Sequence, residues 1–170
     1  MRPLPHSYPV YFNTYINLIP ENEVIPALQN QEKYAAEVFG RISEEQSFYR
    51  YAEKKWTIKE ILQHVIDGER IFAYRALFIA RADTQVLHSF DENLYAANAL
   101  ANKRPWLELQ EEFLTVRKST LYLFNSFENE TLSLMGQISD YQMSVGALGY
   151  TIAGHAAHHI NIIRERYLDL

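Results

Sequence analysis

The sequence predicts an all-α protein built as a four-helix bundle, and three observations carry that prediction. Four long stretches repeat their apolar residues at helical spacing. No series of short alternating segments reads as a sheet. The connection after the second helix, Arg81 to Arg104, is long and suits a crossover that leaves the next helix parallel to the last, and a second long connection follows the third helix. A length of 170 residues, 48% of them apolar, suits a single domain (residues 1–170) with a sizeable core and excludes a disordered chain.

Residues 1–20 place Pro3, Pro5, Pro9 and Pro20 among Tyr8, Tyr11, Phe12 and Tyr15. The prolines argue against a regular helix. The aromatics argue for an extended arm packed on the bundle or on a partner; His6 reads as a surface residue. The first helix is expected from Asn22 to Ile42, with Pro26 in its first turns, where a proline costs little. Ser43 to Lys55 is a polar and aromatic connector. The second helix starts at Trp56-Thr57-Ile58-Lys59-Glu60-Ile61, where Thr57 and Glu60 form a capping box and Trp56 and Ile61 a hydrophobic staple; it runs to about Ala80. In the long connection Arg81 to Arg104, Asp91 can cap a short helix reaching about Ala101. His88, Phe90 and Asp91 read there as loop residues, with a site rim as the alternative. The third helix runs from about Pro105 to Phe127. Glu128 to Met143 is a second polar connection, and Val145 to Leu168 is the last helix.

Composition narrows the chemistry. With no cysteine there is no disulfide, no thiolate metal site and no catalytic thiol. A net charge of −5 speaks against a general nucleic-acid partner. No signal peptide opens the chain and no apolar run reaches about 18 residues, so the expectation is a cytoplasmic protein without a membrane partner.

The residues that carry chemistry lie in Gly154-His155-Ala156-Ala157-His158-His159. Half of the six histidines fall within five residues here. His155 and His159 are four apart and stack on one helix face, about 5–6 Å between Cβ atoms, a separation at which two imidazoles can share one metal ion. At about 100° per residue, with Ala156 at the centre of the apolar stripe, His159 lies at the stripe's edge and His155 further round the same side. His158 falls almost opposite and is expected to face water or to support the pair from outside. Two half-buried histidines on one helix can equally be packing residues, and a metal needs a third ligand from elsewhere. His64, in the second turn of the second helix, shares a line with Thr57, Glu60, Ile61, Gly68, Ile71 and Arg75. Gly68 costs about 1 kcal/mol relative to Ala in a helix interior. Either it leaves room beside His64 or it permits a close helix crossing.

Lys55-Trp56-Thr57-Ile58-Lys59-Glu60-Ile61-Leu62-Gln63-His64, continued by Asp67 to Ala76, resembles the second helix of the DinB/YfiT-like proteins; Ala147 to His159, continued by Ile162 to Leu168, resembles their last helix. Phe90-Asp91-Glu92-Asn93 and Glu112 to Arg117 resemble the middle of that family. The likeness covers nearly the whole chain, in order. It implies a DinB/YfiT-like bundle with a divalent metal near one end of the core, held by His64, His155 and His159, and a homodimer. Three imidazoles suit Zn, Ni or Fe, and the sequence does not choose among them. The resemblance implies one of two reactions on a small-molecule substrate: S-transfer with a low-molecular-weight thiol, or metal-dependent hydrolysis. A stress-related metal-binding protein without catalysis is the further alternative. The residue after His155 is Ala156, not the glutamate of an H-E-x-x-H site, and this places transfer ahead of hydrolysis. Glu60, Asp67, Arg75 and Arg166 are candidates to orient a ligand or hold an anionic substrate, or are ordinary surface and helix-pairing charges.

Overall fold

The computed structural model describes residues 2–168. Four long helices form the bundle: α2 (Val24–Gly40), α3 (Ile58–Ala80), α5 (Trp106–Asn125) and α7 (Val145–Arg166). Shorter helices are α1 (Asn13–Ile16), α4 (Glu92–Asn98) and α6 (Asn129–Leu132). Among the described helices none is long and apolar enough to cross a membrane. The local signals that start these helices operate as the sequence predicts. Thr57 Oγ1 accepts from the Glu60 N–H while Glu60 accepts from the Thr57 N–H, and Asp91 accepts from the N–H groups of Asn93 and Leu94.

Cross-helix contacts fix the directions. Lys59, early in α3, donates to the carbonyl of Arg104 just before α5, and further along both helices Glu69 pairs with Arg117, so α3 and α5 run parallel. Trp106, at the start of α5, donates to Phe39 near the end of α2, and Arg117 donates to Leu28, so α2 and α5 are antiparallel. The end of α7 meets the start of α3, where the Tyr167 hydroxyl donates to the Trp56 carbonyl. Both α3 and α5 pack against α2 or α7, giving the cyclic order α2, α7, α3, α5. The parallel α3–α5 pair is the arrangement that the long connection predicts.

Two segments differ from their expected form. The segment read as a polar connection holds α6 and a β-hairpin, β1 (Met135–Ile138) antiparallel to β2 (Tyr141–Ser144), with Ile138 opposite Tyr141 and a turn at Ser139, whose φ is 50°. Two strands of four residues present too little alternation to register as a sheet, and the turn carries no glycine to announce it. The N-terminal arm is not extended throughout. It winds through short 3₁₀ turns at Pro5–Ser7 and Val10–Phe12 into α1, which begins beyond Pro9. Its packing is as expected: Tyr8, Phe12, Ile16 and Ile19 are buried in the core. Gly154 makes this possible. A Cβ there would stand 2.2 Å from the carbonyl oxygen of Tyr15, so only glycine lets the arm's backbone lie directly on α7.

Candidate metal centre

His64 on α3 and His155 and His159 on α7 come together where the two helices cross. The Nε2 atoms of His64 and His155 are 2.9 Å apart, those of His159 and His155 3.1 Å, and the three ligand nitrogens lie within 4.8 Å of one another. Two nitrogens bound to one zinc-like ion stand at most about 4.2 Å apart, twice the metal–nitrogen bond, so both close pairs are within reach of a shared ion. Among the described residues no carboxylate joins the group.

Electrostatics favour the ligand form of each ring. Burial lowers the pKa of His64 from 6.5 to about 4. Burial, followed by repulsion from His64 and His158, lowers that of His159 to about 3. Burial, with the neighbouring histidines second, holds His155 well below the ordinary value. All three rings are therefore neutral near pH 7, and each has one unprotonated nitrogen that can serve as a ligand. The donor set fits a divalent ion of the Zn, Ni or Fe kind, and His64, His155 and His159 are the residues that could hold it.

Aromatic rings position the imidazoles. Trp56 lies against His64 at 4.9 Å between ring centroids, and Tyr15 and Phe72 stand edge-on to His155 at 5.4 and 5.9 Å. Gly68 supplies the space for His155: a Cβ would meet its Cε1 at 3.1 Å and Nδ1 at 3.3 Å. Of the two readings of this glycine, room for the site is the one the structure supports, although the ring accommodated is His155 rather than His64.

The histidines form one wall of a pocket of about 250 Å³. Its other walls come from three places that the sequence reading did not connect. The arm contributes Tyr15, the hairpin Tyr141, and the α3–α4 connection Ser89 and Phe90. Leu87 bridges to the hairpin, its N–H donating to Gln137 and its carbonyl accepting from Ser139, and this clip fixes the connection beside the pocket. Phe90 is thus a rim residue; His88 contributes its carbonyl to Arg75, and Asp91 serves as the α4 cap. His158 does not face open water. It is half-buried beneath the edge of Tyr15, at 5.5 Å, because the arm covers the side of α7 that the apolar stripe leaves polar. The same cover explains why His155, 5% exposed, is buried more deeply than its angle from the stripe implies. The requirement for a close backbone approach at Gly154 was the available sequence signal for this cover.

The four candidate charges separate. Glu60 accepts from the Thr57 N–H and Asn102, Asp67 accepts from Gln63, and Arg166 donates to Tyr51; none of these lines the pocket. Arg75 does.

A family model for the DinB superfamily matches residues 27–163, which includes all four long helices almost completely and all three histidines. The chain belongs to the DinB superfamily. In keeping with this, its fold matches that of YfiT from Bacillus subtilis, described as a probable metal-dependent hydrolase with an unusual four-helix bundle topology. The match has a TM-score of 0.70 at 13% identity and covers 90% of this chain and 97% of that one. No curated protein matches the sequence significantly. For this DinB-superfamily chain, the long connections expected from sequence are therefore part of a bundle topology shared with a solved structure.

Proposed function

We propose that the chain is a divalent-metal-dependent enzyme acting on a small molecule, with His64, His155 and His159 as ligands of the ion and a low-molecular-weight thiol as cosubstrate in an S-transfer reaction. The observation that most supports this is the convergence of three neutral imidazole nitrogens on the wall of a solvent-connected pocket. Three protein ligands leave a position for substrate, which is the pattern of catalytic rather than structural sites. A bound divalent ion supplies Lewis acidity, which favours the deprotonated form of a thiol or water.

The chain's own residues supply the environment. Burial keeps the imidazoles unprotonated, and the rings of Tyr15, Trp56 and Phe72 exclude water around them. Burial also raises the Tyr15 phenol above its usual range, so it remains a proton donor and not a base. With no cysteine in the chain, a sulfur nucleophile comes from a cosubstrate. Glu60 and Asp67 are engaged elsewhere, so neither is held at the site as a general base. A thiol needs such a base less than water does, because its own acidity lies closer to neutrality.

A hydrolytic reading is favoured by one residue. Glu92, in the first turn of α4, is exposed and lines the pocket, and its carboxylate is available to take a proton from a water nucleophile. The similarity to a probable hydrolase points the same way. The two readings separate when protein loaded in turn with Zn, Ni and Fe(II) is offered electrophiles with and without small thiols, beside a panel of esters and amides. The expected result is conjugation that requires metal and thiol together and falls to background in His64→Ala. Ester or amide hydrolysis without thiol, falling about 100-fold or more in Glu92→Gln, replaces transfer by hydrolysis.

A further inference from the structure

We propose that this pocket takes a substrate bearing a carboxylate and that Arg75 receives it. The inference deepens, and rests on, the reading of the pocket as a substrate site. Arg75 is 4% exposed and lines the same pocket as the three histidines. A buried guanidinium is costly to remove from water unless a counter-charge and hydrogen bonds compensate it. Arg117 shows how the fold meets that cost elsewhere: wholly buried, it makes a two-pronged pair with Glu69 at 2.8 Å and also donates to Leu28 and Gln31. Arg75 has no such company. Among the described residues no Asp or Glu pairs with it. Its Nη2 donates to the carbonyl of His88 at 2.8 Å, which uses one of five N–H donors. The phenol of Tyr141 lies within hydrogen-bonding reach of it as a neutral partner, and the rings of Phe72 and Phe90 flank it at 5.8 and 5.9 Å.

Geometry then defines the ligand. Arg75 continues the His64 line three turns along α3, and the Phe72 ring stands 5.8 Å from its guanidinium and 5.9 Å from the His155 ring, so the anionic end of a substrate and its reacting end lie apart by no more than about 12 Å. Phe72 spans the interval, touching Arg75 on one side and His155 on the other. The middle of the substrate is accordingly apolar. Arg75 is the single Lys or Arg among the pocket-lining residues, and Glu92 also lines the pocket. One guanidinium facing one carboxylate matches a monoanion, and Glu92 disfavours a phosphate dianion.

The test uses 3-phenylpropionate, its neutral amide 3-phenylpropionamide, and phenethyl phosphate, titrated calorimetrically into full-length protein stripped of metal by a chelator. Metal-free protein is chosen so that an anion bound to the ion is not counted, and so that the outcome is independent of which reaction the histidines support. The carboxylate is expected to bind at least about tenfold more tightly than the amide. That preference is expected to vanish in Arg75→Met and to survive in His64→Ala. Equal binding of acid and amide by the wild type, or a preference that persists in Arg75→Met, overturns the proposal. Tighter, Arg75-dependent binding of the phosphate overturns the carboxylate assignment. If Arg75→Met does not fold, Arg75→Lys decides: it keeps the charge and loses the planar fork, so a preference reduced severalfold supports the proposal and an unchanged one overturns it.

Discussion

His155 is the pivot of the three imidazoles, because its Nε2 is within hydrogen-bond distance of both others. Removing any one of His64, His155 or His159 leaves two ligands, and each alanine variant is expected to lose most of the bound metal as measured by elemental analysis. His158→Ala is expected to retain it, since that ring packs beside His159 and Tyr15 without joining the group. Metal loss in His158→Ala with retention in His155→Ala would sink the assignment. Gly68 offers a finer probe. Gly68→Ala gains about 1 kcal/mol of helix propensity, yet its methyl group pushes the His155 ring by a few tenths of an ångström. Thermal stability should hold or rise while metal affinity falls about 10-fold, the scale on which disturbed ligand orientation acts. A variant both less stable and unchanged in affinity would show that Gly68 serves helix packing alone.

At the scale of elements, Arg117 ties α5 to α2 and α3 through Glu69, Leu28 and Gln31. Arg117→Met strands the Glu69 carboxylate in the core and is expected to cost about 3–5 kcal/mol, read as a fall in the urea midpoint; adding Glu69→Leu should recover most of it. A single variant within 1 kcal/mol of wild type would show that the pair contributes little. This knot was not legible in the sequence, where Arg117 looks like any charge on an amphipathic helix. What was legible depended on local chemistry: the Thr57–Glu60 box, the Asp91 cap, and the i, i+4 spacing of His155 and His159. Tyr15 and Tyr141 reach the pocket through tertiary packing of an irregular arm and a hairpin whose strands are four residues long. No local pattern encodes such placement, although Gly154 records the arm's approach.

Across the whole molecule, the arm packs much of its aromatic surface on its own bundle, while Tyr11, Tyr74 and Tyr122 remain more than half exposed. We propose a homodimer; light scattering at high concentration should give twice the 19.9 kDa chain mass, and a monomer mass contradicts it. The buried histidines also couple folding to pH. Their folded-state pKa values lie below the unfolded value of 6.5, at about 4 for His64 and about 3 for His159. Above pH 6.5 neither state protonates them and they contribute no pH dependence. As pH falls below 6.5 the unfolded chain takes up protons that the folded chain refuses, so the metal-free protein loses stability down to about pH 4, by about 3 kcal/mol from His64 alone. Denaturant unfolding of chelator-treated protein at pH 7, 5.5 and 4 measures the loss, and the same series on His64→Gln removes the contribution of His64. Equal pH slopes for wild type and His64→Gln would mean that His64 is as easily protonated in the folded protein as in the unfolded chain.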